Sequence, residues 1–191
     1  MDGIDLDIEL DSSHRIWNYY GEWVTSLRTL CDERDYELST ATAQWVSVKV
    51  SAETYSQFTF VNVMAYDDDS DKSSHASYNF AVQALDYFHI QRNIDEKKLV
   101  LGVPFYGRGY DSRGNLNWNS YQSFAALVAA APANYYADVY RDVAYNGAET
   151  IREKCQLAKD YGGIMIWEVT LDAAGEYSLL TVIKDEMTKE S

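Results

Sequence analysis

The 191-residue chain is 47% hydrophobic and 24% charged, with only 2 prolines and 10 glycines; that composition supports a buried core and excludes a low-complexity or disordered chain. Thirty acidic against 16 basic residues give a net charge of -14, which repels phosphate backbones and argues against a nucleic-acid partner. No apolar run is long enough to span a membrane. The 16 tyrosines and 5 tryptophans suit sugar rings, although packing accounts for most aromatics. Cys31 and Cys155 are too few for a disulfide scaffold.

Residues 3–9 alternate between apolar and acidic side chains, with Ile4, Leu6 and Ile8 on one face and Asp5, Asp7 and Glu9 on the other. This is strand periodicity. Ser12 or Ser13 is placed to cap a helix whose apolar face holds Ile16, Tyr20, Trp23, Leu27 and Leu30. A second strand falls within residues 36–49, its end blurred between Ala41 and Gln44. The third, Phe58 to Asp67, is apolar on both faces, as expected of a covered parallel strand. Ser74 or Ser77 caps a helix carrying Phe80, Ala84, Leu85 and Phe88. A fourth strand spans Lys98–Tyr106, followed by a Tyr- and Ala-rich region that is helical around 124–131. A helix over 148–160 stops at Gly162-Gly163. A fifth strand, Ile164–Val169, precedes a helix with Leu179, Leu180, Ile183 and Met187.

Strands alternating with helices imply an α/β fold with a parallel sheet. In such folds catalytic residues sit at the C-terminal strand ends. Here those ends carry Glu9, Tyr66, Asp67, Tyr106, Arg108 and Trp167. Three carboxylates on one strand face cannot all stay ionised if that face is buried, and a carboxylic acid kept protonated near neutral pH is a general acid. A solvated acidic strand fits the spacing equally well. A calcium loop fits less well, because Leu10 stands where its glycine belongs and Ile16 where its glutamate belongs. His14, His75 and His89 lack metal-ligand spacing and read as surface or packing residues.

Asp2-Gly3-Ile4-Asp5-Leu6-Asp7-Ile8-Glu9 resembles the D-G-x-D-x-D-x-E signature of the family-18 glycoside hydrolases, the chitinases and their relatives. Met64-Ala65-Tyr66-Asp67, Gly102-Val103-Pro104-Phe105-Tyr106-Gly107-Arg108 and Gly163-Ile164-Met165-Ile166-Trp167-Glu168 resemble the family's sixth-, seventh- and eighth-strand segments. The resemblance runs from residue 2 to about residue 180. It implies a (β/α)8 TIM-type barrel whose signature strand is the fourth, so that residues 1–191 form a single partial catalytic domain of strands four to eight. A full barrel takes about 250 residues, and the first three βα units are not found in this chain. Three further strands, from upstream sequence or from a partner chain, would close it.

The resemblance also implies a function. Glu9 would be the general acid/base of a retaining, substrate-assisted hydrolysis of chitin or N-acetylglucosamine oligomers. Asp7 would orient the substrate acetamide, Asp5 would share a proton with Asp7, and Tyr66 would bond the acetamide oxygen. Trp167 would floor the sugar, with Met64 and Met165 beside it, and Asp67, Tyr106 and Arg108 would line neighbouring subsites. Without the motifs, Met64, Met165 and Trp167 read as core, Tyr106 fits packing, and Arg108 fits a structural ion pair. Glu168 reads as a structural acid. Tyr135, Tyr136 and Trp118 fit packing more readily than a sugar cleft. No metal or cofactor is implied, and relatives of this kind are secreted or periplasmic, although no leader-like segment opens the sequence. The alternatives are an endo-β-N-acetylglucosaminidase acting on N-glycan cores and a catalytically impaired chitooligosaccharide-binding protein. About 50 residues between the last two strands must include a helix, which leaves little room for an inserted α+β unit and points to a shallow groove.

Overall fold

The structure is a computed structural model that describes residues 2–71 and 73–189, and of Trp118 only the backbone, so its side chain lies outside the described residues. In chain order it comprises β1 (Gly3–Asp7), α1 (Tyr20–Asp32), β2 (Glu37–Thr42), α2 (Gln44–Ser47), α3 (Ala52–Ser56), β3 (Phe60–Val63) and α4 (Tyr78–Asp86). There follow β4 (Leu99–Pro104), β5 (Tyr106–Tyr110), β6 (Leu116–Ser123), α5 (Phe124–Ala130), β7 (Val139–Tyr140), β8 (Val143–Ala144), α6 (Ala148–Ala158), β9 (Gly163–Trp167) and α7 (Leu179–Thr188).

Five strands form one sheet in the order β1-β2-β3-β4-β9, and every pairing in it is parallel. Asp5 pairs with Ser39 and Asp7 with Ala41; Ala41 pairs in turn with Asn62. Because alternate residues point to opposite faces, this register gathers Asp5, Asp7, Ser39 and Asn62 on one face. The other face carries Leu6, Leu38, Val61, Val63, Leu99, Leu101 and Val103, all buried. Helices α1, α4 and α6 cover that apolar face, and α7 packs on α6. A parallel sheet with helices on its outer face and polar groups on its inner face is the barrel arrangement. Its five strands stand as strands four to eight. Gly3 is demanded by close approach, since a Cβ there would lie 2.4 Å from the Glu37 carbonyl oxygen.

Several local expectations are corrected. The α1 stripe is Tyr20, Val24 and Cys31, a spacing that keeps one side of a 3.6-residue helix inward. Trp23 and Leu30 fall just off it and are 42% and 50% exposed. Neither Ser12 nor Ser13 caps α1. The His14 imidazole instead accepts the Ile16 N–H at 3.2 Å, opening a 3-10 turn at Arg15–Asn18. Ser77 rather than Ser74 caps α4, its hydroxyl accepting the Phe80 N–H at 3.1 Å. The second strand ends at Thr42, and the residues beyond it form α2 and α3. The third strand is shorter than expected, Phe60–Val63, and the backbone beyond it turns at Asp67 into the left-handed region (φ 58°).

The segment between β4 and α6 is the largest correction. It folds into a four-stranded antiparallel sheet, β6-β5-β8-β7, with α5 beside it. The unit fits because β7 and β8 are two residues each and β5 follows β4 after Phe105 alone. Phe105 ties it to the barrel, donating its N–H to the Trp167 carbonyl at 2.8 Å and accepting the Phe124 N–H at 2.9 Å. Phe124, Leu127 and Tyr145 belong to the same apolar cluster as the parallel sheet.

Candidate active site

The acidic residues of the inner face sit on β1 and just beyond it. Asp5, toward the start of the strand, is anchored, accepting the Ser39 hydroxyl at 2.5 Å and the Asn62 amide at 3.1 Å. Asp7 and Glu9 stand further along the chain. Burial, and then the charge of Asp5, raises the Asp7 carboxyl above its ordinary pKa. Burial also raises Glu9, helped by the charges of Asp7 and Asp67. A carboxyl lifted this way keeps its proton to higher pH and can donate it.

Across the pocket, Tyr66 is half-buried, and burial together with the nearby Asp7 and Asp67 carboxylates keeps its phenol protonated far into alkaline pH. Its ring meets Tyr106 edge-on, with centroids 6.2 Å apart. Tyr106 is sandwiched: His75 stacks on one side at 5.2 Å and Tyr121 of β6 on the other at 4.7 Å. Burial and the neighbouring Asp67 push its phenol upward as well. Asp67 takes a 3.3 Å bond from the fully buried Arg108 guanidinium. Its backbone N–H is bonded at 3.3 Å to His75 Nδ1.

These walls enclose a pocket of about 410 Å³. Of the residues singled out in the sequence, Asp7, Glu9, Met64, Tyr66, Asp67, Tyr106 and Trp167 line it together. Trp167, at the end of β9, is 48% exposed. The other three do not line it. Asp5 sits behind Asp7 on its Ser39 and Asn62 anchors, Arg108 is buried behind Asp67, and Met165 pairs with Gly102 lower on the sheet. Gln44, Trp45, Asp68, Asp69 and Phe80 also line the pocket and were not anticipated; nor were His75, Ser39 and Asn62 as supports. A lone asparagine inside the apolar run Phe60–Met64 was a readable signal, whereas Trp45 and His75 carried none. Tyr135 packs in the core, and Tyr136 is exposed. Tyr121, brought in by the antiparallel unit, stacks on Tyr106 from outside the pocket lining. Among the described residues no cluster of His, Cys, Asp and Glu is arranged to hold a metal ion, and no helix is long and apolar enough to cross a membrane.

An incomplete parallel barrel with paired acids at the end of its first strand defines a glycosidase-like site. The sequence profile of the Glycosyl hydrolases family 18 matches residues 1–172, and the chain belongs to that family. It is similar to Chitinase A1 of Niallia circulans, 30% identical over 118 aligned positions that cover 44% of this chain and 17% of that protein. Among solved structures it resembles the family-18 chitinase ChiB from the chitin utilization locus of Flavobacterium johnsoniae. The TM-score is 0.86 at 32% identity, covering 98% of this chain and 60% of that one. A chitinase from Bacteroides thetaiotaomicron matches with TM-score 0.86 at 27% identity, over 100% of this chain and 64% of that one. This chain therefore spans less than two thirds of the length of either chitinase. A class V chitinase mutant from Cycas revoluta, solved with (GlcNAc)3, shares the fold at 20% identity and TM-score 0.79, over 97% of this chain and 67% of that one.

Proposed function

We propose that these residues form the catalytic part of a hydrolase cutting β-1,4 linkages in chitin or N-acetylglucosamine oligomers. The observation that carries this reading is the pocket itself, where two carboxyls with raised pKa values face Tyr66 and Asp67 beside an exposed Trp167. Trp167 offers a flat apolar face for a pyranose ring. Glu9 protonates the glycosidic oxygen as the bond to the leaving sugar breaks. The substrate's own acetamide oxygen attacks the anomeric carbon, the route by which this family departs from the two-carboxylate scheme. Asp7 accepts the acetamide N–H and stabilises the positive charge of the oxazolinium ion, and the Tyr66 hydroxyl donates to the acetamide oxygen. Glu9, now a carboxylate, takes a proton from the water that opens the ion. Asp5 fixes Asp7 from below.

Residues 1–191 are read as one part of a single catalytic domain. The free edges of the parallel sheet, β1 and β9, are where three further strands would pair, from the same polypeptide or a partner. An extracellular or periplasmic location follows from a polymeric substrate. The test is release of a fluorophore from a chitobioside by the full-length protein. Glu9→Gln is expected to lower kcat by about 10³-fold, within the range for a positioned acid/base. Equal rates for wild type and variant would overturn the assignment. Cleavage of N-glycan cores without cleavage of chitobiosides would move the substrate to the endo-β-N-acetylglucosaminidase reading.

A further inference from the structure

Among the described residues, Lys154 on α6 is a fully buried lysine that the mechanism leaves unused. It is 0% exposed, and burial drags its pKa down to about 7. Leaving an ammonium in such a place is costly unless its donors are matched. Two partners meet it: Lys154 Nζ donates to the Ala76 carbonyl at 2.8 Å and to the Asn146 side-chain oxygen at 2.7 Å. The Asn146 amide donates in turn to the same Ala76 carbonyl at 2.9 Å. Two donors from the barrel thus converge on one backbone oxygen of the loop between β3 and α4. The neighbouring charge is Asp138, itself engaged by the Gly147 N–H at 2.8 Å and the Thr150 hydroxyl at 2.7 Å.

The residue before Ala76 is His75, which holds the cleft from behind. Its carbonyl accepts the Asp68 N–H at 2.9 Å, and its Nδ1 is bonded to the Asp67 N–H at 3.3 Å. The ring stacks on Tyr106. His75 is fully buried, and burial keeps its pKa below the ordinary value while the Asp67 carboxylate, 3.4 Å from Nδ1, works against that shift. Asp67, in its left-handed conformation, is held by these contacts against Arg108.

We propose that Lys154, with Asn146, is a positioning residue: by gripping the Ala76 carbonyl it seats His75 and thereby fixes Asp67 and Tyr106 at the cleft wall. The inference rests on the hydrolase reading for its consequence in catalysis but not for its geometry. It predicts a long-range effect, since misplacing a substrate-contacting group even slightly costs rate out of proportion to the displacement.

The experiment compares Lys154→Met, which keeps the chain's bulk without the ammonium, with wild type in the full-length protein. Three quantities are read: cooperative thermal unfolding, kcat and KM on a chitooligosaccharide, and the ¹⁵N signature of the His75 ring, which reports whether Nδ1 is unprotonated. A folded Lys154→Met with a changed His75 signature and kcat/KM reduced about tenfold or more is the expected result. A variant that melts earlier yet keeps both the wild-type His75 signature and the wild-type kcat/KM overturns the proposal, because a merely structural lysine would behave that way. If Lys154→Met does not fold, Asn146→Ala is judged by the same two criteria. If wild type proves inactive on chitooligosaccharides, the hydrolase reading fails separately, and the His75 signature alone decides the positioning role.

Discussion

The two walls of the pocket hold their acids in opposite ways. On the β1 wall Asp7 closes the strand and Glu9 stands two residues beyond it, and no hydrogen bond to either side chain is seen among the described residues. On the facing wall Asp67 is tied at both ends, its carboxylate to Arg108 and its backbone to His75, behind which stands Lys154. Groups that must gain and lose a proton gain from a loose environment that lifts their pKa, whereas a group that must hold a sugar in place gains from being fixed beforehand. The difference separates reactivity from placement.

The contrast can be tested from both sides. Glu9→Gln, the largest effect at about 10³-fold in kcat, should leave the thermal unfolding of the protein nearly unchanged, because nothing in the wall depends on that carboxyl. Arg108→Met should lower stability as well as kcat/KM, because it frees Asp67. Stranding the Asp67 carboxylate beside a buried apolar side chain is expected to cost on the order of 3 kcal/mol of stability, read from denaturant unfolding at pH 7. A smaller effect links the walls: the Asp67 charge helps raise Glu9. Asp67→Asn should therefore lower the Glu9 pKa and move the alkaline limb of kcat/KM to lower pH, by a fraction of a pH unit. An unmoved limb would mean the walls are electrostatically independent.

The smallest effect is on stability. The Asp7 carboxyl has a folded pKa above its unfolded value, so between the two the native state binds more protons and stability falls as pH rises. Asp7→Asn removes that penalty. Its Tm should exceed wild type by a few degrees at pH 7, and the gain should vanish as the pH drops below about 3.9, where unfolded Asp7 is also protonated. A gain that persists at pH 2 would have another origin.

The alternating run at residues 3–9 disclosed both the first strand and the face its acids share, because a period of two is written directly into the side chains. The other parallel strands were legible as apolar runs, and α4, α6 and α7 as helices, although the strand ends were not. The limits of the α1 stripe were less legible. Trp23 and Leu30 are as apolar as the buried Val24 and Cys31, and only the helix's rotation about its axis distinguishes them. The antiparallel unit was missed because its two-residue strands, Val139–Tyr140 and Val143–Ala144, are too short to show a period, and the second is set by long-range pairing to β5. The supports of the site were missed for a related reason. Ser39, Asn62, His75 and Lys154 matter through partners that lie 34, 57, 8 and 78 positions away in the chain, and a lysine within a helix ordinarily reads as surface.

The strict alternation of β1 bears on how such a chain can change over generations. Because Leu6 is buried between the two aspartates, an insertion or deletion of one residue here would exchange the faces, pushing carboxylates among the helices and turning Leu6 toward the cleft. Such a lineage would fail at folding before its chemistry was ever tried. Point substitutions at Asp5, Asp7 or Glu9 carry no such penalty, so the reaction can be lost or altered one letter at a time while the frame that presents it stays locked.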